Sequence, residues 1–249
     1  MKPLCYSGFH AIDALLRHRP QDVLELFVLE GRDDKRLETL VALARDMGVA
    51  CQRAARKTLD AKADSPQHQG VVARARPRTA GNDNDLDQFL SHTANARLLL
   101  LDGVTDPHNL GACLRVADGA GIHAVIVPKR HSAGLTPTAC RSAAGAAESL
   151  GWFEVNNLAR TQASLKQQGI FVYGTALTDN SRSLYSITPP ASWALVMGAE
   201  GPGMRRLVQD SCDQLITIPM RGDVQSLNVS VATGVVLYWL TQPRPSIQD

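Results

Sequence analysis

The sequence predicts an α/β protein whose larger part is a parallel sheet. Three observations lead there. From Arg97 onward, near-continuous apolar runs recur at RLLLLD (97–102), HAVIVP (123–128), IFVYGTA (170–176), WALVMG (193–198) and QLITIP (214–219). Such runs fit strands buried on both faces. Between them lie segments of helical periodicity, and alternation of this kind is the signature of βαβ units. Finally, glycines and polar residues gather just after several strands, where open α/β sheets bind ligands.

Each element follows from local chemistry. In the first 75 residues, HAIDALLRHR (10–19) repeats apolar residues at helical spacing, and LELFVLEG (24–31) reads as a strand ended by Gly31. DKRLETLVALARDMG (34–48) is an amphipathic helix stopped at Gly48, and GVVARAR (70–76) is a closing strand. These elements define a small α/β domain over 1–76. Residues 77–95 are richer in Pro, Gly, Asn and Asp and read as a linker with one helical turn. The larger domain spans 96–249, with helices expected over 110–121, 137–150, 158–169 and 204–211. Thr136 would cap the second of these, with Pro137 in its first turn. Residues 229–240 are apolar on nearly every face, a pattern that implies burial in a core or against a partner.

Composition narrows the function. The chain has 249 residues, 44% of them hydrophobic, and no apolar run reaches the ~18 residues that span a bilayer. Its N-terminus lacks the apolar stretch of a signal peptide. Five scattered cysteines, none spaced C-x-x-C, argue for reduced packing thiols in a cytoplasm and against zinc or a disulfide framework. Net charge is +2, but residues 1–78 hold 14 Lys/Arg against 10 Asp/Glu. The bases Arg53, Arg56, Lys57, Lys62, Arg74, Arg76 and Arg78 concentrate there as a candidate phosphate footprint, the alternative being a solvated charged face. Aromatic residues make up only 5%, so stacking is not expected to dominate any contact with nucleic-acid bases.

The polar clusters offer the chemistry. No phosphate-loop, H-E-x-x-H, G-x-S-x-G or G-x-G-x-x-G pattern is present. Instead Asn109, Gly111 and Arg115 follow the strand at 97–102. Gly198, Glu200, Gly201 and Gly203 follow the strand at 193–198, and Ser226, Leu227 and Asn228 follow the strand at 214–219. Each has a plainer reading. Asn109 could cap a helix starting near Leu110, Arg115 could be a surface arginine, GAEGPGM an ordinary turn and Asn228 a cap. Three strand-end loops of one sheet, converging with Asn, Arg, Glu, Ser and Asn, nevertheless supply what a pocket requires.

Taken in order, Asn109-x-Gly111-x-x-x-Arg115, Leu195-Val-Met-Gly-Ala-Glu-Gly-x-Gly203, and Ile218-Pro-Met with Ser226-Leu-Asn-Val-Ser230 resemble the three motifs of the SpoU (TrmH-like) branch of the SPOUT RNA methyltransferases. YSGFHAIDALL, HQGVVAR (68–74) and LDGVTDPHNLGACLR extend the resemblance over the whole chain. The subgroup they resemble methylates the ribose 2′-hydroxyl of a guanosine in the peptidyl-transferase loop of 23S rRNA. The resemblance implies a deep C-terminal trefoil knot, an exception to the rule against threaded chains, and an L30e-like N-terminal domain that holds RNA. It also implies a homodimer and S-adenosyl-L-methionine as methyl donor, with no metal and no membrane. By position, Thr175, Gly198, Gly203, Ile218 and Leu227 would contact the donor, and Asn109, Arg115, Glu200, Ser226 and Asn228 would form the catalytic set. Arg53, Arg56, Lys57, Arg74 and Arg76 would contact RNA. A tRNA substrate, or a non-catalytic RNA binder on the same fold, are the alternatives.

Overall fold

In the computed structural model, which describes residues 2–243, the chain forms two compact units. One comprises Met1–Thr79 with Leu110–Arg115 and Gly134–Ser149; the other comprises Ala80–Asn109, Val116–Ala133 and Leu150–Asp249.

The first unit opens with β1 (Leu4–Ser7), α1 (Phe9–His18), β2 (Val23–Leu29), α2 (Lys35–Asp46), β3 (Cys51–Ala54), α3 (Arg56–Ala63) and β4 (Val71–Ala75). Its sheet order is β1-β4-β2-β3, with only the β2–β3 pair parallel. α1 buries Phe9, Ala11, Ile12, Leu15 and Leu16, the stripe expected from its spacing. Asp34 caps α2 by accepting from the backbone N–H groups of Arg36 and Leu37.

Next in the chain come α4 (Asp83–Ser91), β5 (Arg97–Asp102), α5 (Pro107–Gly119), β6 (Ala124–Pro128), α6 (Pro137–Ser142) and α7 (Ala146–Ser149). β7 (Gly151–Val155), α8 (Leu158–Gln167), β8 (Phe171–Thr175), β9 (Arg182–Ser183), β10 (Trp193–Gly198), α9 (Arg206–Asp210), β11 (Gln214–Thr217) and α10 (Val229–Thr241) complete it. The seven strands β5 to β11 form a sheet ordered β7-β6-β5-β10-β8-β11-β9, every pair parallel. Its core joins Leu98, Leu100, Ile126, Val172, Ala194 and Val196 of the strands to Leu158 and Leu165 of α8.

Two expectations need correction, and a third is met only in part within this chain. Residues 77–95 are more than a linker: Asn82 and Asp85 form a capping box, and the nine-residue α4 buries Leu86 and Leu90 in the second unit's core. The single helix expected over 137–150 is broken, with Ala144 (φ 52°) and Gly145 (φ 106°) in the left-handed region. Its two halves, α6 and α7, pack on β1 and α1 in the first unit. Finally, α10 is not buried all round within this chain, because Val231 and Tyr238 remain more than half exposed.

Candidate active site

Parallel strands place all their carboxyl ends on one edge, and the register makes this concrete. Gly198 at the end of β10 is level with Asp102 at the end of β5, and Thr175 at the end of β8 is level with Ile216 of β11. The three polar loops therefore leave the sheet on the same side, with the end of β8 between the last two.

The loop after β10 is folded tightly back. Ala199 and Gly203 exchange two backbone hydrogen bonds of 3.1 and 3.0 Å. A Cβ on Gly198 would lie 2.3 Å from both the Gly203 carbonyl carbon and the Met204 nitrogen, so only glycine permits this approach. The far end of the loop is anchored by Asp102, whose fully buried carboxylate accepts from the Arg205 backbone N–H and from Nε, each at 2.8 Å, with Nη2 at 2.7 Å. Neither Asp102 nor Arg205 belongs to the three sequence motifs. An acidic residue closing an otherwise apolar strand is the signal that could have found them, since a buried carboxylate requires a partner.

Held this way, the loop presents Glu200 to two asparagines. Asp106, not Asn109, caps α5, accepting from the His108 N–H at 3.0 Å. Asn109 is thus free for other partners, and its Nδ2 lies 3.4 Å from Glu200 Oε2. Asn228 does cap α10, its Oδ1 accepting from Ser230 N at 3.0 Å and Ser230 Oγ at 2.6 Å. That commitment turns Nδ2 outward, to donate to Asn109 Oδ1 at 3.0 Å and toward Glu200 Oε2 at 3.5 Å. Asn228 is therefore both cap and site residue. Glu200, which could have ordered either Arg115 or Asn109, holds Asn109. Arg115 is exposed on α5 and has no hydrogen bond or ion pair with a described residue. Six residues of ideal helix turn it about 120° away from Asn109.

Beside this cluster lies a cavity of about 440 Å³. Thr175, Gly198, Gly203, Ile218 and Leu227, singled out for donor contact, all line it, as do Glu200 and Ser226. Thr175 is fixed by donating from Oγ1 to the Val196 carbonyl at 3.3 Å. Among the described lining residues none is Lys, Arg or His, and Glu200 is the one acidic group. Met220 of the third motif also lines the cavity, as does Gln225, which the sequence did not single out.

The expected RNA-contacting bases are more dispersed in role. Arg53 pairs with Asp33 at 2.9 Å and Arg74 pairs with Glu25. Arg76 donates to the Gln21 carbonyl at 3.2 Å, and Lys62 sits 4.0 Å over the Phe27 ring. Arg56 and Lys57, at the start of α3, are exposed and have no ion-pair partner among the described residues. Acids outside the 53–78 window thus neutralise part of the footprint.

Residues 96–238 match the SpoU rRNA Methylase family. The chain belongs to that family. Residues 7–80 match a second description, RNA 2′-O ribose methyltransferase substrate binding. SpoU relatives of nearly the same length include the 23S rRNA (guanosine-2′-O-)-methyltransferase RlmB of Haemophilus influenzae. It is 52% identical over 95% of this chain and 96% of its own. The RlmB of Shewanella oneidensis is 49% identical over 96% and 97%. Among solved SpoU structures, the methyltransferase AviRb of Streptomyces viridochromogenes in complex with AdoMet has a TM-score of 0.78. It is 24% identical and is matched over 95% of this chain and 88% of that one, a likeness of fold.

Proposed function

We propose that this chain transfers a methyl group from S-adenosyl-L-methionine to the ribose 2′-hydroxyl of a guanosine in 23S rRNA. The observation that carries this reading is the Asn109–Glu200–Asn228 cluster at the cavity lined by Thr175, Gly198, Gly203, Ile218 and Leu227. Whole-chain similarity to 23S rRNA enzymes, at about half identity, favours rRNA over tRNA.

The cavity fits the donor on its chemistry. It has the volume of a small-molecule site, and it lacks the cations that a phosphate-bearing ligand would call for. Its one carboxylate suits a positively charged ligand. When bound, S-adenosyl-L-methionine supplies an electrophilic methyl group on a sulfonium centre.

The protein's work is then alignment, which can lower a barrier by about 7–11 kcal/mol. Gly198 lets the loop close the cavity wall, and Asp102 with Arg205 fixes where that loop ends. Glu200 and Asn228 lock the Asn109 amide, so that Asn109 and Ser226 orient the acceptor ribose. A guanidinium is a poor proton acceptor in proteins. Arg115 is therefore assigned to hold an RNA phosphate or steady the developing alkoxide.

The same reading assigns residues 1–76 to RNA capture on an L30e-like fold, with Arg56 and Lys57 among the contacts, and the C-terminal part to a trefoil knot. It makes the working form a cytoplasmic homodimer, supported by the uncovered Val231 and Tyr238 of α10. The test is to incubate the protein with labelled donor and undermethylated 23S rRNA and map the product. A single 2′-O-methylguanosine is expected; label in tRNA alone, or none, would overturn the assignment. Sedimentation as a monomer at micromolar concentration would overturn the dimer.

A further inference from the structure

The segments YSGFH (6–10) and HQG (68–70) have no part in the donor cavity. Within the first unit the fold brings them together. Gln69 Oε1 accepts from the Phe9 backbone N–H at 3.1 Å, and Arg32 donates to the Gln69 carbonyl while pairing with Asp34. Gly8 lies between two further side chains: a Cβ there would sit 3.7 Å from Gln69 Oε1 and 3.8 Å from Arg141 Cγ. Arg141 also reaches the Ser7 hydroxyl, Nη1 to Oγ at 3.4 Å.

Several arginines of this unit are neutralised, Arg32 beside the turn among them. Arg17, Arg19, Arg32, Arg53 and Arg74 each rest on a carboxylate. Arg36 does not: its guanidinium lies 4.5 Å over the Phe9 ring and Nη2 is 3.0 Å from His10 Nε2. Phe9 is itself buried, so no base can stack on it; its ring acts as a platform that fixes the guanidinium plane. Asp34, two residues before Arg36, is committed to Arg32 and to the first turn of α2. A pre-oriented fork without a carboxylate partner is the chemistry that recognises phosphate.

Resting on the RNA methyltransferase reading above, we infer that Arg36 and Arg141, on either side of the Ser7–Phe9 turn, bind phosphates of the substrate RNA backbone. The two segments serve to build that site. This moves the RNA footprint away from Arg53 and Arg74, whose charges are internally paired.

The test uses the full chain and a 23S rRNA hairpin fragment in filter binding across a salt series. The double variant Arg36→Ala with Arg141→Ala is expected to bind about tenfold more weakly at low salt. The slope of log affinity against log salt should fall by about 0.7–0.9 for each phosphate no longer neutralised. Arg36→Lys should keep the slope and lose part of the affinity, since it retains charge without the fork. Arg17→Ala removes the same charge from an Asp13-paired site and should change neither. Donor affinity by calorimetry should stay within about twofold of the parent chain. Three results would overturn the proposal: parent-like binding by the double variant, weaker binding with an unchanged slope, or a parallel loss of donor affinity. If the parent chain methylates the RNA while the variants bind normally, only this site fails. A parent chain that neither binds nor methylates RNA sinks the underlying reading as well.

Discussion

The Arg19–Glu148 pair of the first unit and the Asn109–Glu200–Asn228 cluster of the second both centre on a glutamate, and they are built to opposite ends. Glu148 is buried and both its oxygens are engaged: Arg19 Nε donates to Oε2 at 2.7 Å and Nη2 to Oε1 at 3.2 Å, with Asp22 taking Nη1 at 2.8 Å. Burial pushes the pKa of the neighbouring Cys140 thiol up to about 12, with the Glu148 charge adding to it. Glu200 is exposed and meets two amides at 3.4 and 3.5 Å, long hydrogen bonds that leave its oxygens with capacity to spare. A saturated pair can only hold structure together. An ordered cluster with unused hydrogen-bonding capacity can receive a ligand.

The largest expected effect tests the saturated side. Glu148→Ala should lower unfolding free energy by about 3 kcal/mol, because it removes two charge-assisted hydrogen bonds from a partly buried guanidinium and leaves it only Asp22 as an ionic partner. Arg19→Met with Glu148→Leu should recover most of that loss. Urea titration measures both, and turnover per folded molecule should not change. Turnover that collapses while the urea midpoint holds would break the comparison.

On the open side the pattern should reverse. Asn109→Ala is expected to lower turnover by about 10²–10³-fold, the scale seen when an oriented hydrogen-bond donor is removed from a reacting centre. Donor affinity by calorimetry and the urea midpoint should stay near the parent values. Arg115→Lys should likewise cut turnover and spare donor binding. A fall in donor affinity in both variants would contradict the positions assigned to them.

A smaller effect concerns the cavity wall itself. Gly198→Ala should weaken donor binding by at least about tenfold, since the added Cβ meets backbone that must shift. Calorimetry on the folded variant decides it, and unchanged affinity would remove the loop from the donor site.

The smallest effect is a pH dependence. Burial, with the nearby Arg97 charge, holds the His123 imidazole below its ordinary range, and its Nδ1 accepts the Arg97 backbone N–H at 3.0 Å. The unfolded chain therefore takes up a proton that the folded chain resists. The His123 contribution is complete above an unfolded pKa of about 6.5 and is lost as pH falls below it. The urea midpoint should drop between about pH 7.5 and 5.5, and His123→Gln should flatten that drop.

Legibility depended on whether local chemistry or distant contacts decided the outcome. The strands at 97–102 and 193–198 are readable to the residue because burial on both faces leaves an unbroken apolar run. β7 (GWFEV) is not, because its five residues mix glycine, aromatics and a charge without clear period. Residues 83–91 hide a helix whose stability comes from Leu86 and Leu90 in a shared core. The break at 144–145 runs against an Ala-rich sequence. A Cβ on Gly145 would come within 3.1 Å of the Ala14 Cβ and 3.2 Å of the His10 carbonyl oxygen, so packing overrode helix propensity there.

The sequence by itself determined the parallel sheet and the order of its polar loops, and the resemblance carried by its motifs pointed to five of the residues that line the cavity. Periodicity, strand polarity and local turn chemistry are properties of neighbouring residues. Only the tertiary structure decided that Glu200 takes Asn109 and Asn228, and that Asp102 anchors the loop through Arg205. It also decided which bases are neutralised by distant acids. Those are pairings between residues far apart in the chain, and only the folded chain brings them within hydrogen-bond range.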